Sequence, residues 1–293
     1  PPPPPPPPLF FFNPHPPIPD SSTSRGLGDV YKRQNQELAN SGQKVAILEG
    51  ADTATAFSSG MAAISNTLFA NLKPGDRVIV GKDSYGGTSK IFMEFLPNFN
   101  IEVVFCDTTD TELFKKEIKK KCSLLYLETP TNPTLKIQDI QTLSNYAKAS
   151  NALVVVDNTL STPINQNPLR LGADVVLHSA TKFLCGHSDA IGGIACGNNK
   201  IIDRIFHFRE INGACLDPSP AYMILRGMKT LALRMKKHNE NALELSHWLL
   251  GHKNVEKVFY PGISSHDGYN IAKNQMKGYG GVLSFSIKDQ SAI

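Results

Sequence analysis

The sequence predicts an α/β fold in which helices cover both faces of a mostly parallel β-sheet. Short apolar runs, which are typical of buried strands, alternate along the chain with longer amphipathic stretches that are typical of helices. This alternation has the spacing of βαβ units, which place parallel strands side by side. With 293 residues, of which 41% are hydrophobic, the chain is long enough for one large domain or two.

The first predicted strand, at residues 54–57, leads through Ser58-Ser59-Gly60-Met61 into a helix that ends near Leu72. A Pro-Gly-Asp turn at residues 74–76 precedes the next strand. Further strands are predicted at residues 77–80, 101–105, 124–127, 153–156 and 175–177. Helices are predicted between them at residues 111–121 and 137–150.

After Gly197 the pattern becomes mainly helical, at residues 200–212 and 221–250, with Gly213 and two prolines between these stretches. The second stretch is apolar on more than one side, so we expect it to bridge two domains. Strands of a second, smaller unit are predicted at residues 255–260 and 282–287. We therefore divide the chain into a large domain, residues 35–235, and the start of a truncated C-terminal α/β domain, residues 236–293.

Residues 1–34 differ from the rest of the chain. They begin with eight prolines, which cannot continue a helix or a sheet, and we expect this leader to be disordered. It lacks the basic start and the apolar core of a secretory signal. Residues 29–34, Asp-Val-Tyr-Lys-Arg-Gln, resemble the translation of a sequencing adapter. Our hypothesis is that the natural protein begins near Asn35.

Composition excludes several classes of function. The net charge of +4 is mild, and the lysine cluster at residues 115–121 has the spacing of a solvated helix face rather than of a nucleic-acid site. No apolar run is long enough to span a membrane. The five cysteines form no C-x-x-C pair, which favours free thiols and a cytoplasmic location. His178, Cys185 and His187 lack a fourth ligand, so we predict no metal site.

One lysine follows the predicted strand at residues 175–177. Ser179, Thr181 and Lys182 lie just beyond the carboxyl end of this strand, which is where ligands bind in open α/β sheets. A partly desolvated amine there suits a nucleophile, and the two hydroxyl groups suit a phosphate. The alternative is that Lys182 is an ordinary loop lysine with its ammonium group in water.

Asp157 ends the predicted strand at residues 153–156. A carboxylate in such a position needs a positive partner, because its burial is otherwise costly. A protonated pyridine nitrogen would be such a partner, and an aldehyde on the same ring would suit Lys182. The two residues therefore support each other as parts of one site.

Three more segments follow predicted strand ends. Ser59, Gly60 and Met61 open a helix whose free N–H groups suit an anion, although Ser59 could equally be a plain helix cap. The ring of Tyr85 could stack on a flat cofactor or lie on the surface of a glycine turn. Glu128 and Asn132 belong to a loop stiffened by two prolines, which suits either ligand binding or a structural turn.

Five motifs occur together and in order: Ser-Gly-Met at 59–61, Tyr-Gly-Gly-Thr at 85–88, Glu-Thr-Pro-Thr-Asn-Pro at 128–133, Val-Asp-Asn-Thr at 156–159 and Ser-Ala-Thr-Lys at 179–182. This set resembles the Cys/Met-metabolism (transsulfuration) family of pyridoxal-phosphate (PLP) enzymes. The resemblance runs from Leu48 to the last predicted strand. It implies the aspartate-aminotransferase-like type I fold, with a seven-stranded sheet, and PLP as cofactor.

The resemblance also implies the role of each site residue. Lys182 bonds to the cofactor aldehyde and moves protons, Asp157 holds the ring nitrogen protonated, and Tyr85 stacks on the ring and serves as an acid or base. Phosphate ligands come from the segment at Ser59, Gly60 and Met61 and from the hydroxyls of Ser179 and Thr181. Asn132 and Glu128 lie near the ring hydroxyl. The family forms homodimers or homotetramers whose sites are completed across subunits.

The implied activity is γ-replacement or γ-elimination on sulfur amino acids or homoserine esters. Three motifs, at residues 162–166, 178–183 and 226–231, favour a cystathionine γ-synthase, with a cystathionine γ-lyase as the alternative. Gly87 stands where methionine γ-lyases typically carry cysteine. A non-catalytic PLP-binding protein and an aminotransferase or desulfurase of the same fold stay open.

Two parts of the family's site are not found. The phosphate arm Tyr-x-Arg should precede Asn-Pro-Thr, which is lacking after Tyr31-Lys32-Arg33, so these residues receive no role. The arginine that binds the substrate carboxylate belongs beyond Ile293. We therefore expect the chain to capture PLP but to turn over amino acids poorly.

Overall fold

The computed structural model describes residues 41–288. The predicted leader at residues 1–34, with Tyr31 and Arg33, lies outside the described residues, as do residues 35–40 and 289–293. In the described part, no helix combines the length and the apolar character that a membrane crossing requires.

Seven strands form the main sheet, which confirms the predicted α/β fold. They are β1 Thr53–Phe57, β2 Arg77–Gly81, β3 Glu102–Cys106, β4 Leu124–Glu128, β5 Leu153–Asp157, β6 Val175–Ser179 and β7 Gly193–Gly197. Their order across the sheet is β1-β7-β6-β5-β4-β2-β3. All neighbours run parallel except β7, which is antiparallel to both β1 and β6.

Strand β7 is absent from our sequence prediction. Its sequence, Gly-Ile-Ala-Cys-Gly, has a glycine at each end and little of the β-branched character that marks a strand. The glycine at position 193 is required by packing, because a side chain there would run into the Ser59 carbonyl group. Gly193 therefore allows β7 to lie close to the start of the helix that follows β1. The same glycine weakens the strand pattern in the sequence, which is why β7 was not predicted.

Every predicted helix is present, apart from its ends, and four further helices, at residues 41–49, 86–90, 162–165 and 269–275, were not predicted. Helix α1 covers residues 41–49. The others are α2 Gly60–Asn71, α3 Gly86–Lys90, α4 Thr111–Lys120, α5 Ile140–Ala149, α6 Thr162–Asn165, α7 Asn199–Asn212, α8 Pro218–Met228, α9 Leu231–Leu250 and α10 Tyr269–Gln275. One correction concerns residues 221–250, which form two helices, α8 and α9, separated at Lys229 and Thr230.

Alternate residues along the strands pack on the two faces of the sheet. On one face, Tyr126, Val155 and Leu177 share a core with the buried side of α2. On the other face, Leu125, Val156 and Val176 share a core with α4 and α5. Because side chains alternate, the last residues of each strand also divide between the two faces.

Helix α9 connects the main sheet to a smaller unit. Its residues Leu231 and Met235 pack in a core with β7, whereas Ala242 and Leu249 pack in the core of the smaller unit. That unit contains the predicted strands, β8 Val255–Phe259 and β9 Ser284–Ile287, which pair antiparallel. The predicted domain boundary at residue 235 falls inside α9, and the division of the chain into two domains stays a prediction.

Candidate active site

The carboxyl ends of β4, β5 and β6 lie side by side. Glu128 ends β4 and pairs in register with Asp157, which ends β5, and Asp157 pairs with Leu177 of β6. Ser179 ends β6 two residues later. Side chains two residues apart share a face, so Glu128, Asp157 and Ser179 all lie on the face that α2 covers.

These strand ends form the floor of a cavity of about 270 Å³. Every residue that the sequence predicts for the site lines this cavity: Ser59, Gly60, Met61, Tyr85, Glu128, Asn132, Asp157, Ser179, Thr181 and Lys182. A wider cavity of about 1180 Å³ lies beside it, and both are lined by Leu160, Thr181, Lys182 and Ile191. Lys182 is therefore one of four residues that border both cavities.

The N-terminus of α2 borders the small cavity. The Ser59 hydroxyl accepts a hydrogen bond from the Ala62 N–H at 3.0 Å, so Ser59 is a helix cap. The backbone N–H groups of Gly60 and Met61 have no acceptor among the described residues. Two free N–H groups at a helix N-terminus are an anion site, so capping and anion binding occur together here.

Close packing places this helix end against β6. A side chain at Gly60 would bring its Cβ atom within 2.7 Å of the Ser179 Cβ atom. Glycine therefore allows the free N–H groups to approach the Ser179 hydroxyl, which has no partner among the described residues. Together these groups can surround a phosphate.

Asp157 is only 9% exposed and forms no ion pair with any cation in the described part of the chain. Burial raises the pKa of its carboxyl group, and hydrogen bonds from Thr159 oppose this effect. The Thr159 N–H donates to Oδ1 at 3.0 Å, and the Tyr126 hydroxyl lies 3.5 Å from Oδ2. A cation brought by a ligand would relieve the cost of this burial.

Glu128 is the second buried carboxyl group of the site. Burial, and then the charge of Asp157, raise the pKa of Glu128 to about 8. Its Oε2 accepts a hydrogen bond from the Tyr85 N–H at 2.8 Å. Glu128 therefore fixes the start of the loop that carries the Tyr85 ring, and this ring is 51% exposed.

The remaining predicted site residues differ in whether their polar groups already have hydrogen-bond partners. The Lys182 ammonium group has no partner among the described residues, and the same is true of the exposed Asn132 amide. The Thr181 hydroxyl is already engaged, because it accepts from the Gly192 N–H at 3.1 Å and lies 3.3 Å from the Gly192 oxygen. Thr181 thus also fixes the loop between β6 and β7.

Sequence reasoning missed Thr159. Its hydroxyl accepts a hydrogen bond from the Ser179 N–H at 2.8 Å, and its own N–H binds Asp157, so it joins two strand ends. The signal in the sequence was its position two residues after Asp157, because an Asp side chain often accepts a hydrogen bond from the backbone N–H two residues later. The apolar lining, Ile64, Pro130, Leu160 and Ile191, was also missed, since these residues carry no chemistry that a motif reveals.

The three residues weighed as metal ligands have other roles. His178 bonds to Glu49, and the Nδ1 atom of His187 lies 2.7 Å from the Cys185 carbonyl oxygen. Within residues 41–288, no group of three His, Cys, Asp or Glu residues has an arrangement that could hold a metal ion. All five cysteines are unpaired.

The cavity fits PLP in chemical character. The N–H pair of α2 with the Ser179 hydroxyl suits a phosphate group, the unpaired Asp157 suits a ring nitrogen that carries a proton, and the unpaired Lys182 suits an aldehyde. The N–H pair, the Ser179 hydroxyl and the Lys182 ammonium group lack partners among the described residues, and Asp157, although it is bonded by Thr159 and Tyr126, lacks a cation there.

Comparison with known proteins gives a consistent result. The model of the family described as Cys/Met metabolism PLP-dependent enzyme matches residues 19–293. An L-methionine gamma-lyase of Fusobacterium nucleatum subsp. polymorphum is 46% identical over 248 residues, which cover 84% of this chain and 63% of the relative. A cystathionine gamma-synthase of Mycobacterium leprae is 42% identical, over 93% of this chain and 72% of the relative.

Among solved structures, a cystathionine gamma synthase from Xanthomonas oryzae pv. oryzae, in complex with aminoacrylate and cysteine, superposes with a TM-score of 0.86. It is 35% identical, and the match covers 89% of this chain and 68% of that structure. The chain thus spans about 63% of the length of the curated methionine gamma-lyase that it matches. The relatives carry the names of several different activities.

Proposed function

This chain belongs to the Cys/Met-metabolism family of PLP-dependent enzymes, and from that premise we propose that it makes or breaks the bond to the γ-carbon of a sulfur amino acid or a homoserine ester. The observation that carries the proposal is the single cavity at the ends of β4, β5 and β6. It unites an anion site, a buried carboxyl group without a cation and a lysine without a partner.

PLP, when bound, supplies an aldehyde that joins amines and a ring that accepts the negative charge developing beside the substrate nitrogen. In our proposal Lys182 holds the cofactor covalently and afterwards moves protons at the α and β carbons of the substrate. Its place on the border of both cavities suits both tasks, since a substrate in the wider cavity would lie near the Lys182 side chain.

Asp157 provides the electrostatic partner of the ring nitrogen in this proposal. Its carboxylate is buried and fixed by two bonds from Thr159 and Tyr126 rather than by a cation, so its charge is directed toward the cavity. A fixed charge in a water-poor site stabilises developing charge better than one that must reorient.

The remaining residues bind and orient. Gly60 and Met61 N–H groups, with the Ser179 and Thr181 hydroxyls, bind the phosphate, and Ser59 fixes the helix end that presents them. Tyr85 covers the ring and exchanges a proton at the γ leaving group. Glu128 holds the Tyr85 backbone in place, and Asn132 reaches the ring hydroxyl. A neighbouring subunit that completes the site stays a prediction.

We propose cystathionine γ-synthase as the specific activity, with cystathionine γ-lyase as the alternative. The motifs favour it, and the Xanthomonas synthase with cysteine in its complex is a close structural neighbour. In this reaction the C–O bond of a homoserine ester breaks, the cysteine sulfur bonds to the γ-carbon, and the carboxylic acid leaves with the thiol proton.

The 46% identity to an L-methionine gamma-lyase supports methionine γ-elimination as a second candidate. Gly87 favours the first choice, because methionine γ-lyases typically carry cysteine at this position.

A product assay separates these activities. The PLP-loaded chain is given an activated homoserine ester with cysteine, or cystathionine alone, or methionine alone, and the products are identified by mass spectrometry. We expect cystathionine from the first mixture and little 2-oxo acid from the other two. Formation of 2-oxobutanoate and cysteine from cystathionine alone would support the γ-lyase, and formation of 2-oxobutanoate and methanethiol from methionine alone would support the methionine γ-lyase.

The Lys182→Ala variant is the control and should form none of these products. Because we expect slow turnover, the incubations are long; if the wild-type chain binds PLP but forms no more product than Lys182→Ala in any of the three mixtures, a non-catalytic PLP-binding protein replaces the proposed enzyme.

A further inference from the structure

The strands that carry Asp157 and Ser179 are not paired by their backbones at the level of the site. The ladder between β5 and β6 ends where Asp157 pairs with Leu177, and the last backbone bond runs from the Asn158 N–H to the Leu177 oxygen at 2.9 Å. Ser179 lies beyond this point. Side chains must therefore fix the distance between the two strand ends.

Two side-chain links do so, one on each face of the sheet. On the face of the cavity, the Thr159 hydroxyl accepts a hydrogen bond from the Ser179 N–H at 2.8 Å. On the opposite face, one oxygen of Glu49 serves both strands. Its Oε1 lies 2.8 Å from Asn158 Nδ2 and 2.7 Å from His178 Nε2.

The two partners of Glu49 are the chain neighbours of the site residues. Asn158 follows Asp157, and His178 precedes Ser179, with the side chains alternating between the faces. A change in the distance between Asn158 and His178 would therefore change the distance between the Asp157 carboxylate and the Ser179 hydroxyl.

The Glu49 side chain is held in place by its surroundings. It lies at the end of α1, its side chain is 0% exposed, and its second oxygen lies 3.5 Å from Asn167 Nδ2. A buried carboxylate is costly unless it is fully hydrogen-bonded, and such groups in turn hold their partners firmly.

We propose that Glu49 is a positioning residue that sets the spacing between the two ends of the cofactor site, Asp157 at one end and Ser179 with the α2 N-terminus at the other. The proposal rests on the proposed function, because it needs a ligand that reaches both ends. PLP, with a ring nitrogen and a phosphate on a rigid frame, is such a ligand.

The test compares ligands that reach one end or both ends. PLP affinity is measured by absorbance titration, and inorganic phosphate is measured as a competitor of PLP. In Glu49→Gln, which keeps the shape of the side chain but removes its charge and one acceptor, we expect PLP affinity to fall about tenfold, as when a residue that orients a ligand-binding group is lost. Inorganic phosphate, which needs only the α2 end, should bind as in the wild type.

Glu117→Gln is the matched control. Glu117 is also a buried carboxylate, but it binds Arg77 at 2.6 Å, near the start of β2 and away from the cavity. This variant should unfold more easily than the wild type and bind PLP with unchanged affinity. If Glu49 only stabilised the fold, both variants would behave in this way, and the inference would be overturned.

A second pair of variants serves if Glu49→Gln does not fold. Glutamine at position 178 can place its amide nitrogen near the position of the histidine Nε2 atom, whereas asparagine is too short. His178→Gln should therefore keep most PLP affinity, and His178→Asn should lose about as much as Glu49→Gln. Equal PLP affinities in this pair would overturn the inference.

The wild type separates this inference from the function on which it rests. Wild-type protein that binds no PLP would overturn the proposed function and this inference together. Wild-type protein that binds PLP, together with an unchanged ratio of PLP to phosphate affinity in Glu49→Gln, would overturn this inference alone.

Discussion

The polar residues at the strand ends are bonded differently on the two faces of the sheet, the front face, which carries the cavity, and the opposite or rear face. On the face of the cavity, the Asp157 carboxylate lacks a cation, and the Ser179 hydroxyl and the Lys182 ammonium group lack any partner among the described residues. On the rear face, Glu49 and Asn158 bind each other. A buried carboxylate without a cation is costly, so Asp157 indicates a ligand on the front face, whereas the bonded Glu49 and Asn158 indicate a scaffold on the rear face.

Gln166 shows how completely the rear face is bonded. Its Nε2 donates to the Thr129 oxygen and to Asn158 Oδ1, both at 3.0 Å, and its Oε1 accepts from Gln275 at 3.1 Å. Gln166 thus joins the ends of β4 and β5 to α10 of the smaller unit. Substitutions at the front should therefore act mainly on chemistry, whereas substitutions at the rear should lower stability and, at Glu49, also the affinity for PLP.

The largest effect is expected at Asp157. In Asp157→Asn the fixed charge opposite the ring nitrogen is lost, and we expect kcat to fall about 10²–10³-fold, equivalent to about 3–4 kcal/mol in the transition state. The folded state should lose little stability, because the variant no longer buries an unpaired carboxylate. Steady-state kinetics and thermal unfolding measure the two quantities, and near-normal turnover would contradict the role.

A rear-face substitution should show the reverse pattern. Gln166→Ala removes three side-chain hydrogen bonds and leaves buried partners unsatisfied, so we expect the free energy of unfolding to fall by about 1–3 kcal/mol. Urea unfolding measures this loss. Unchanged stability would show that the rear network is not the scaffold that we describe.

The third effect concerns pH. The unfolded chain loses the Glu128 proton near its ordinary pKa of 4.5, whereas the folded chain keeps it up to about 8. Folded protein thus binds more protons in this window, and Glu128 should lower the stability of the PLP-free protein as pH rises, by at most about 1.4 kcal/mol per pH unit. Asp157, whose pKa is also raised, acts in the same direction.

Glu128→Gln tests this slope, because the amide does not titrate. The difference in stability between wild type and variant, measured by urea unfolding from pH 5 to pH 8, should shift steadily in favour of the variant as pH rises, since the contributions of groups that do not interact with Glu128 cancel and Asp157 no longer faces the Glu128 charge. A difference that is independent of pH would show that the Glu128 carboxyl is not held protonated.

Sequence reasoning located the front face better than the rear. The cavity residues occur in short motifs at predicted strand ends, the five motifs in order carry the family resemblance, and all ten residues lie together. The rear network joins residues more than a hundred positions apart, such as Glu49 and His178, and no local pattern reveals such a pairing. Strand β7 was missed for a related reason, since tertiary packing requires the glycine that conceals it.

The identity of the lysine that holds the cofactor tests the central claim most directly. PLP-loaded protein is reduced with borohydride and digested, and the modified peptide is identified by mass spectrometry. We expect the reduced pyridoxyl group on Lys182, and no covalent label in the cavity of Lys182→Ala, although phosphate contacts could still bind some PLP. A label on a different lysine of the wild type would contradict the account.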